Sequence, residues 1–169
     1  DKLTARLPGG ELVVVAAARA IMAATPKLLA VVRSQDSAAA QALRSLGVPL
    51  LAAPEAHRGM GASLAAAVRH DPAAPGWLVG LGDMPYLNPR CARRVAQSLT
   101  SAEAIALPVH AGRRGHPVAF GSAYGDALRR LDGDQGARGI LHRFSENVVS
   151  VECTDAGIFL DVDNPSHLR

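Results

Sequence analysis

Short apolar runs of strand length alternate along this chain with segments of helical pattern, and that alternation restricts the fold more than any other feature. Lys27 to Arg33 is strand-like behind Pro26, and Asp36 to Leu46 carries a helical pattern that Gly47 ends. Pro49 to Ala53 then reads as a strand. A helix is predicted from about Gly61 to His70, where Leu64 and Val68 stand four apart on one face, before strand-like Trp77 to Leu81. A further helix follows Pro89. Later strands are expected near Ala104 to Leu107, Pro117 to Phe120, Asn147 to Val151 and Ile158 to Leu160, with helical stretches near Ser122 to Leu131 and Ala137 to Phe144. Glu11 to Ala24 is long enough for a helix and free of Gly and Pro, so helix is predicted there despite Val13, Val14 and Val15. Such alternation predicts an α/β domain, three-layer α/β/α, with a mainly parallel Rossmann-like sheet covered on both faces and a less regular C-terminal portion.

The 169 residues suit a single domain, and 49% hydrophobic with only 4% aromatic residues implies a core of Ala, Leu and Val. No apolar stretch approaches the roughly 20 residues that cross a bilayer, because Arg19, Lys27 and Arg33 divide the apolar N-terminal third. The charge of +3 comes from scattered basic residues, a balance that suits a phosphate-bearing small substrate, and we expect no nucleic-acid or membrane partner. Cys91 and Cys153 have no metal-ligand spacing and form no disulfide framework of the secreted kind. They are expected as buried, inert thiols in a reducing cytoplasm. The chain opens on Asp1-Lys2-Leu3 rather than on the hydrophobic strand that usually begins an α/β domain, so an N-terminal strand and loop are expected ahead of it.

Chemistry is concentrated in five segments. Trp77 to Pro85 runs a buried-type strand into Gly82 and Asp83, where the ligand crevice of an open α/β sheet lies. Mg²⁺ takes one or two carboxylates and completes its shell with phosphate oxygens and water, which fits Asp83; a turn cap before Pro85 is the alternative. Arg58 to Leu64 is a glycine-bearing turn opening a helix, able to present N–H groups and the Ser63 hydroxyl to a nucleotide. Ser63 also suits a plain helix N-terminus. Gly112 to Val118 sets Arg113, Arg114 and His116 between glycines, a loop suited to phosphate or simply to solvent. Gly133 to Arg138 forms a fourth conspicuous segment. Finally, Asp161 and Asp163 lie at i and i+2, where an extended backbone points both to one face and could bracket a metal; Asp163 could instead cap a helix starting at Pro165.

Those five segments, with Asp1-Lys2-Leu3 ahead of them, occur in an order that resembles the MobA-like nucleotidyltransferases: Asp1-Lys2-Leu3, Gly59-Met60-Gly61-Ala62-Ser63-Leu64, Gly82-Asp83-Met84-Pro85, Arg114-Gly115-His116-Pro117-Val118, Gly133-Asp134-Gln135-Gly136-Ala137-Arg138 and Asp161-Val162-Asp163-Asn164-Pro165. Within that group the chain looks most like the molybdenum cofactor cytidylyltransferases, chiefly through the Gly59 to Leu64 and Arg114 to Val118 segments. The resemblance implies transfer of CMP from CTP to the phosphate of molybdopterin with release of pyrophosphate. It implies Mg²⁺ held by Asp83, Asp163 and Asp161, and triphosphate contact by Lys2. Nucleotide contact by Gly59, Gly61 and Ser63, and pterin contact by Arg114 and His116, follow from position. A molybdoenzyme would receive the product.

The family's glycine- and arginine-rich phosphate loop, which precedes the Asp-Lys-Leu segment, is not in this sequence. Three other readings therefore stay open: a guanylyltransferase or a transferase with another phosphorylated acceptor, a nucleotide-binding regulatory domain without turnover, and a receiver-like module with Asp83 as phosphoacceptor. The last leaves the Arg114 and Asp134 segments unexplained. Trp77 is expected as packing, His57, His70, His110, His142 and His167 as surface or loop residues, and the Arg93-Arg94 and Arg129-Arg130 pairs as solvated helix faces.

Overall fold

A computed structural model describes residues 1–164, 167 and 168 of the chain. The helices are α1 (Val13–Met22), α2 (Ala38–Ser45), α3 (Met60–His70), α4 (Pro89–Gln97), α5 (Gly125–Arg129) and α6 (Arg138–Arg143). The strands are β1 (Ala30–Val32), β2 (Leu50–Ala52), β3 (Gly76–Val79), β4 (Ile105–His110), β5 (Arg113–Arg114), β6 (Val118–Gly121) and β7 (Val148–Glu152). Local chemistry explains several boundaries. The Ser37 side chain accepts the Ala40 amide to start α2, and Asn88 accepts that of Arg90 ahead of Pro89 to start α4. In α1 the valine cluster is helical because Val13, Val14, Ala17, Ala20 and Ile21 make one buried face, so tertiary burial overrides β-branching.

β1 and β2 form a parallel pair. In the larger sheet β6 runs antiparallel to both β3 and β4, β5 runs antiparallel to β4, and β7 lies parallel to β4, so β3, β4 and β7 share one direction. Among the described residues β1 pairs only with β2 and β3 only with β6, leaving each with one open edge.

Side chains alternate across β4 and β6, and the two faces meet different helices. Ala106 and Ala119 face a cluster holding Ile21, Cys91, Ala92 and Val95 from α1 and α4. Ile105, Leu107, Val118 and Phe120 face Val68, Leu128 and Ile140 from α3, α5 and α6. The three-layer α/β/α architecture is therefore present, with a core of small aliphatic residues and few rings.

Three expectations are corrected. The strand at Ile158 to Leu160 is instead a 3-10 turn over Ala156–Ile158, because the Asp155 side chain accepts the Gly157 amide at 2.9 Å and Gly157 is pressed onto the Tyr86 carbonyl. Cys91 and Cys153 are not thiols but a disulfide joining α4 to the segment after β7, with Cα atoms 5.9 Å apart. The expectation of a reducing cytoplasm rested on the lack of a secreted-type disulfide framework, and a disulfide at this place weakens it. The arginine pairs are not simply solvated: Arg93 donates to the Ala23 carbonyl, Arg94 to that of Glu152, and Arg129 pairs with Asp126. The helix considered at Pro165 lies outside the described residues. No helix among the described residues is long and apolar enough to cross a membrane.

Candidate active site

Asp83 follows β3 after Gly80, Leu81 and Gly82, on a turn in which the Met84 amide reaches the Leu81 carbonyl. Its carboxylate is the least exposed member of a group of three. One ligand atom from each of Asp83, Asp161 and Asp163 lies within 4.8 Å of the others. The C-terminal pair reaches Asp83 because Val162, fully buried between them, donates its amide to the Asp83 carbonyl at 2.8 Å. Burying Val162 turns its two neighbours outward, which is how the i and i+2 acids come to share a face.

Two further ties hold these segments together upstream. Asn88 donates to Asp155 at 3.0 Å, and the Cys91–Cys153 bond closes the far end. Nothing in the spacing of the two cysteines points to this disulfide, since pairing depends on which elements the sheet brings together.

Lys2 enters the group from the other side. Residues Lys2–Thr4 form a 3-10 turn capped by Asp1, whose side chain accepts the Leu3 amide at 3.0 Å. Leu3 packs with Val14, and the Val13 amide donates to Ala5, fastening the turn to α1. The Lys2 ammonium donates to Asp83 at 2.7 Å and to Asp163 at 2.8 Å. Its pKa is held well above the lysine range by the hydrogen bonds to Asp163 and Asp83. In turn the Lys2 hydrogen bond, then its charge, keeps the Asp163 carboxyl below the usual carboxylate range. A cation thus already sits between two of the three carboxylates. Three hard oxygen donors around such a position fit Mg²⁺ or Mn²⁺.

His116 approaches from the β5 to β6 connection. Its backbone amide donates to the Ile158 carbonyl at 2.9 Å, and Gly115 lies too close to Ile158 to carry a side chain. His116 is half-buried, and its Nδ1 is itself buried with no hydrogen-bond partner among the described residues. Burial lowers the pKa of His116, opposed by the negative charge of Asp83. Arg113 stacks over the Phe159 ring at 4.3 Å, while Arg114 is exposed. These two arginines form strand β5 against Val109 and His110 rather than an open loop. His110 is half-buried, its Nδ1 2.8 Å from the Cys153 carbonyl, and His167 lies within 3.3 Å of the Asp163 amide and 3.1 Å of the Asp161 carbonyl. Neither is a bystander on the surface.

The Gly59 to Ser63 turn forms a second group. The Gly61 amide donates to the Gly133 carbonyl at 2.8 Å, and Arg58 pairs with Asp132 at 3.1 Å. A Cβ on Gly61 would fall 2.7 Å from the Asp132 carbonyl oxygen. The Gly133 segment, singled out in the sequence without a role, is therefore seated on this turn, and the glycines are required by that chain-to-chain approach. The Ser63 hydroxyl is 3.4 Å from the Gly59 carbonyl. Lys2, Asp83, Asp161 and Asp163 come together, and His116 lies within the electrostatic reach of Asp83. Among the described residues no hydrogen bond or ion pair links Gly59, Gly61 or Ser63 to that group.

A family model described as the MobA-like NTP transferase domain matches residues 1–148. No curated protein matches the chain. Among solved structures, a nucleotidyl transferase from Methanothermobacter thermautotroptrophicus is 21% identical with a TM-score of 0.83, covering 98% of this chain and 81% of that one. Rv0371c from Mycobacterium tuberculosis is 27% identical with a TM-score of 0.78, over 98% of this chain and 85% of that one. It has also been solved in complex with manganese. A CMP:2-keto-3-deoxy-manno-octonic acid synthetase complexed with CTP is 13% identical, with a TM-score of 0.77 over 98% and 87% of the two chains. Family match and shared fold agree with the order of the motifs and with the acid group that gathers beyond the end of β3: the chain belongs to the MobA-like NTP transferase family.

Proposed function

We propose that this protein transfers CMP from CTP to the terminal phosphate of molybdopterin carrying molybdenum, releasing pyrophosphate. The observation that carries the reading is the convergence of Lys2, Asp83, Asp161 and Asp163 at the carboxyl end of β3. A phosphate oxygen of the acceptor forms the new bond to the α-phosphorus in line, while the bond to the β-phosphate breaks and its electron pair leaves with pyrophosphate. Such a step asks for alignment and neutralised charge rather than covalent help from the protein. Mg²⁺ held by Asp83, with Asp163 and Asp161 beside it, would supply charge neutralisation on the phosphate oxygens. Lys2 contributes a positive charge to the triphosphate. Gly59, Gly61 and Ser63 face the nucleotide, while Arg114 and His116 face the pterin.

The Gly59 to Leu64 and Arg114 to Val118 segments favour the cytidylyl over the guanylyl branch, and the same fold binds CTP in the synthetase named above. We also propose that the open edges of β1 and β3 receive one more strand from a segment preceding Asp1, with the glycine-rich phosphate loop at its end.

The test is thermal stability with CTP, GTP or ATP, with and without Mg²⁺, on residues 1–169 and on a longer chain with the upstream segment, paired with a pyrophosphate-release assay. A ligand at a hundred times its dissociation constant adds about 2.7 kcal/mol. We expect CTP-selective, Mg²⁺-dependent stabilisation, greater in the longer chain, and no pyrophosphate release from Asp83→Asn although it stays folded. Selectivity for GTP would replace the nucleotide; a normal rate in Asp83→Asn would remove the metal role.

A further inference from the structure

Lys2 is bound where a divalent ion would go, and the geometry makes the two competitors. Its ammonium lies 2.7 Å from Asp83 Oδ2 and 2.8 Å from Asp163 Oδ1, both carboxylates belonging to the three-acid group. An ion coordinated by those carboxylates at roughly 2.1 Å would sit only about 4 to 5 Å from an ammonium still bonded to them. Like charges that close repel strongly in a site partly shielded from water. Lys2 also has freedom to leave: it sits on an exposed 3-10 turn, its side chain is 40% accessible, and a four-carbon stem carries the charge.

We infer that Lys2 is a resident counter-ion that holds Asp83 and Asp163 together in the metal-free protein and yields them when a divalent ion binds, which frees its ammonium for the triphosphate. Metal occupancy and phosphate capture are then coupled through one side chain. Before metal arrives, Lys2 neutralises carboxylates that would otherwise repel one another; afterwards the same charge is available to the nucleotide. The ion thereby strengthens nucleotide binding beyond its own contacts with phosphate. This inference rests on the proposed assignment of Asp83, Asp161 and Asp163 as metal ligands.

The experiment is titration of the metal-free, nucleotide-free full chain with Mn²⁺, following free Mn²⁺ by electron paramagnetic resonance, for wild type, Lys2→Met and Lys2→Arg. Thermal unfolding of each variant checks that the fold persists. Lys2→Met should bind Mn²⁺ more tightly, on the order of tenfold, because it removes a competing charge at a half-exposed site. Lys2→Arg keeps the charge and should stay within a few-fold of wild type. Unchanged or weaker binding by a folded Lys2→Met, alongside measurable wild-type binding, overturns the competition and leaves the metal site standing. Absence of Mn²⁺ binding in all three removes the metal assignment and this inference with it.

Discussion

A side chain on Gly59 would run into the carboxylate of Asp134. The two belong to motifs far apart in the sequence, and the φ of +125° at Gly59 is one that L side chains rarely adopt. At Gly82, by contrast, the nearest atom to an added Cβ is Val14 Cγ2 at 3.6 Å, ordinary van der Waals contact. Gly59→Ala should therefore destabilise the domain by about 2 kcal/mol or more through strain and displacement of the Gly133 segment, while Gly82→Ala should change stability by less than about 1 kcal/mol. Urea unfolding of the two variants measures both; equal effects would mean that the contact with residues 132–134 does not persist in solution.

The Cys91–Cys153 bond closes a loop of sequence separation 62 between α4 and the segment leading to Asp161 and Asp163. By the chain-entropy argument, reduction should cost about 4 kcal/mol at most, less whatever order the reduced unfolded chain retains. Unfolding with and without a phosphine reductant, and of Cys91→Ser with Cys153→Ser, gives the value. Identical midpoints for oxidised and reduced protein would show that packing alone holds these segments.

His116 sets a pH dependence whose sign follows from burial. Its folded pKa lies below the ordinary value of about 6.5, so its contribution is intact above that value and is lost as pH falls toward the lowered one. Melting temperatures of wild type and His116→Gln, compared between pH 7.5 and pH 5, should converge on acidification as wild type loses its advantage. Parallel curves would mean that the ring is solvated when protonated.

The alternation of apolar runs located every helix and all but one of the expected strands, and Asp83, Asp161 and Asp163 lay in segments whose residue types suit an ion, whereas Lys2 was reached only through the family resemblance. What escaped the reading was pairing through space. A glycine that admits a ligand and one that admits another stretch of chain have the same sequence signature, so Gly59 and Gly61 gave no hint of Gly133. The apolar triplet at Ile158 looked like a strand because burial of a turn demands the same residues. Two cysteines 62 apart become partners only after β7 is laid beside β4.

The open edges of β1 and β3 bear on how the molecule behaves among its own copies. Among the described residues no strand pairs with either edge, and Leu78 and Val79 on β3 are only half-buried. Backbone left in that state recruits whatever extended chain is nearest. At high concentration the nearest is another molecule of the same protein, which makes self-association, rather than loss of the core, the first hazard in handling residues 1–169.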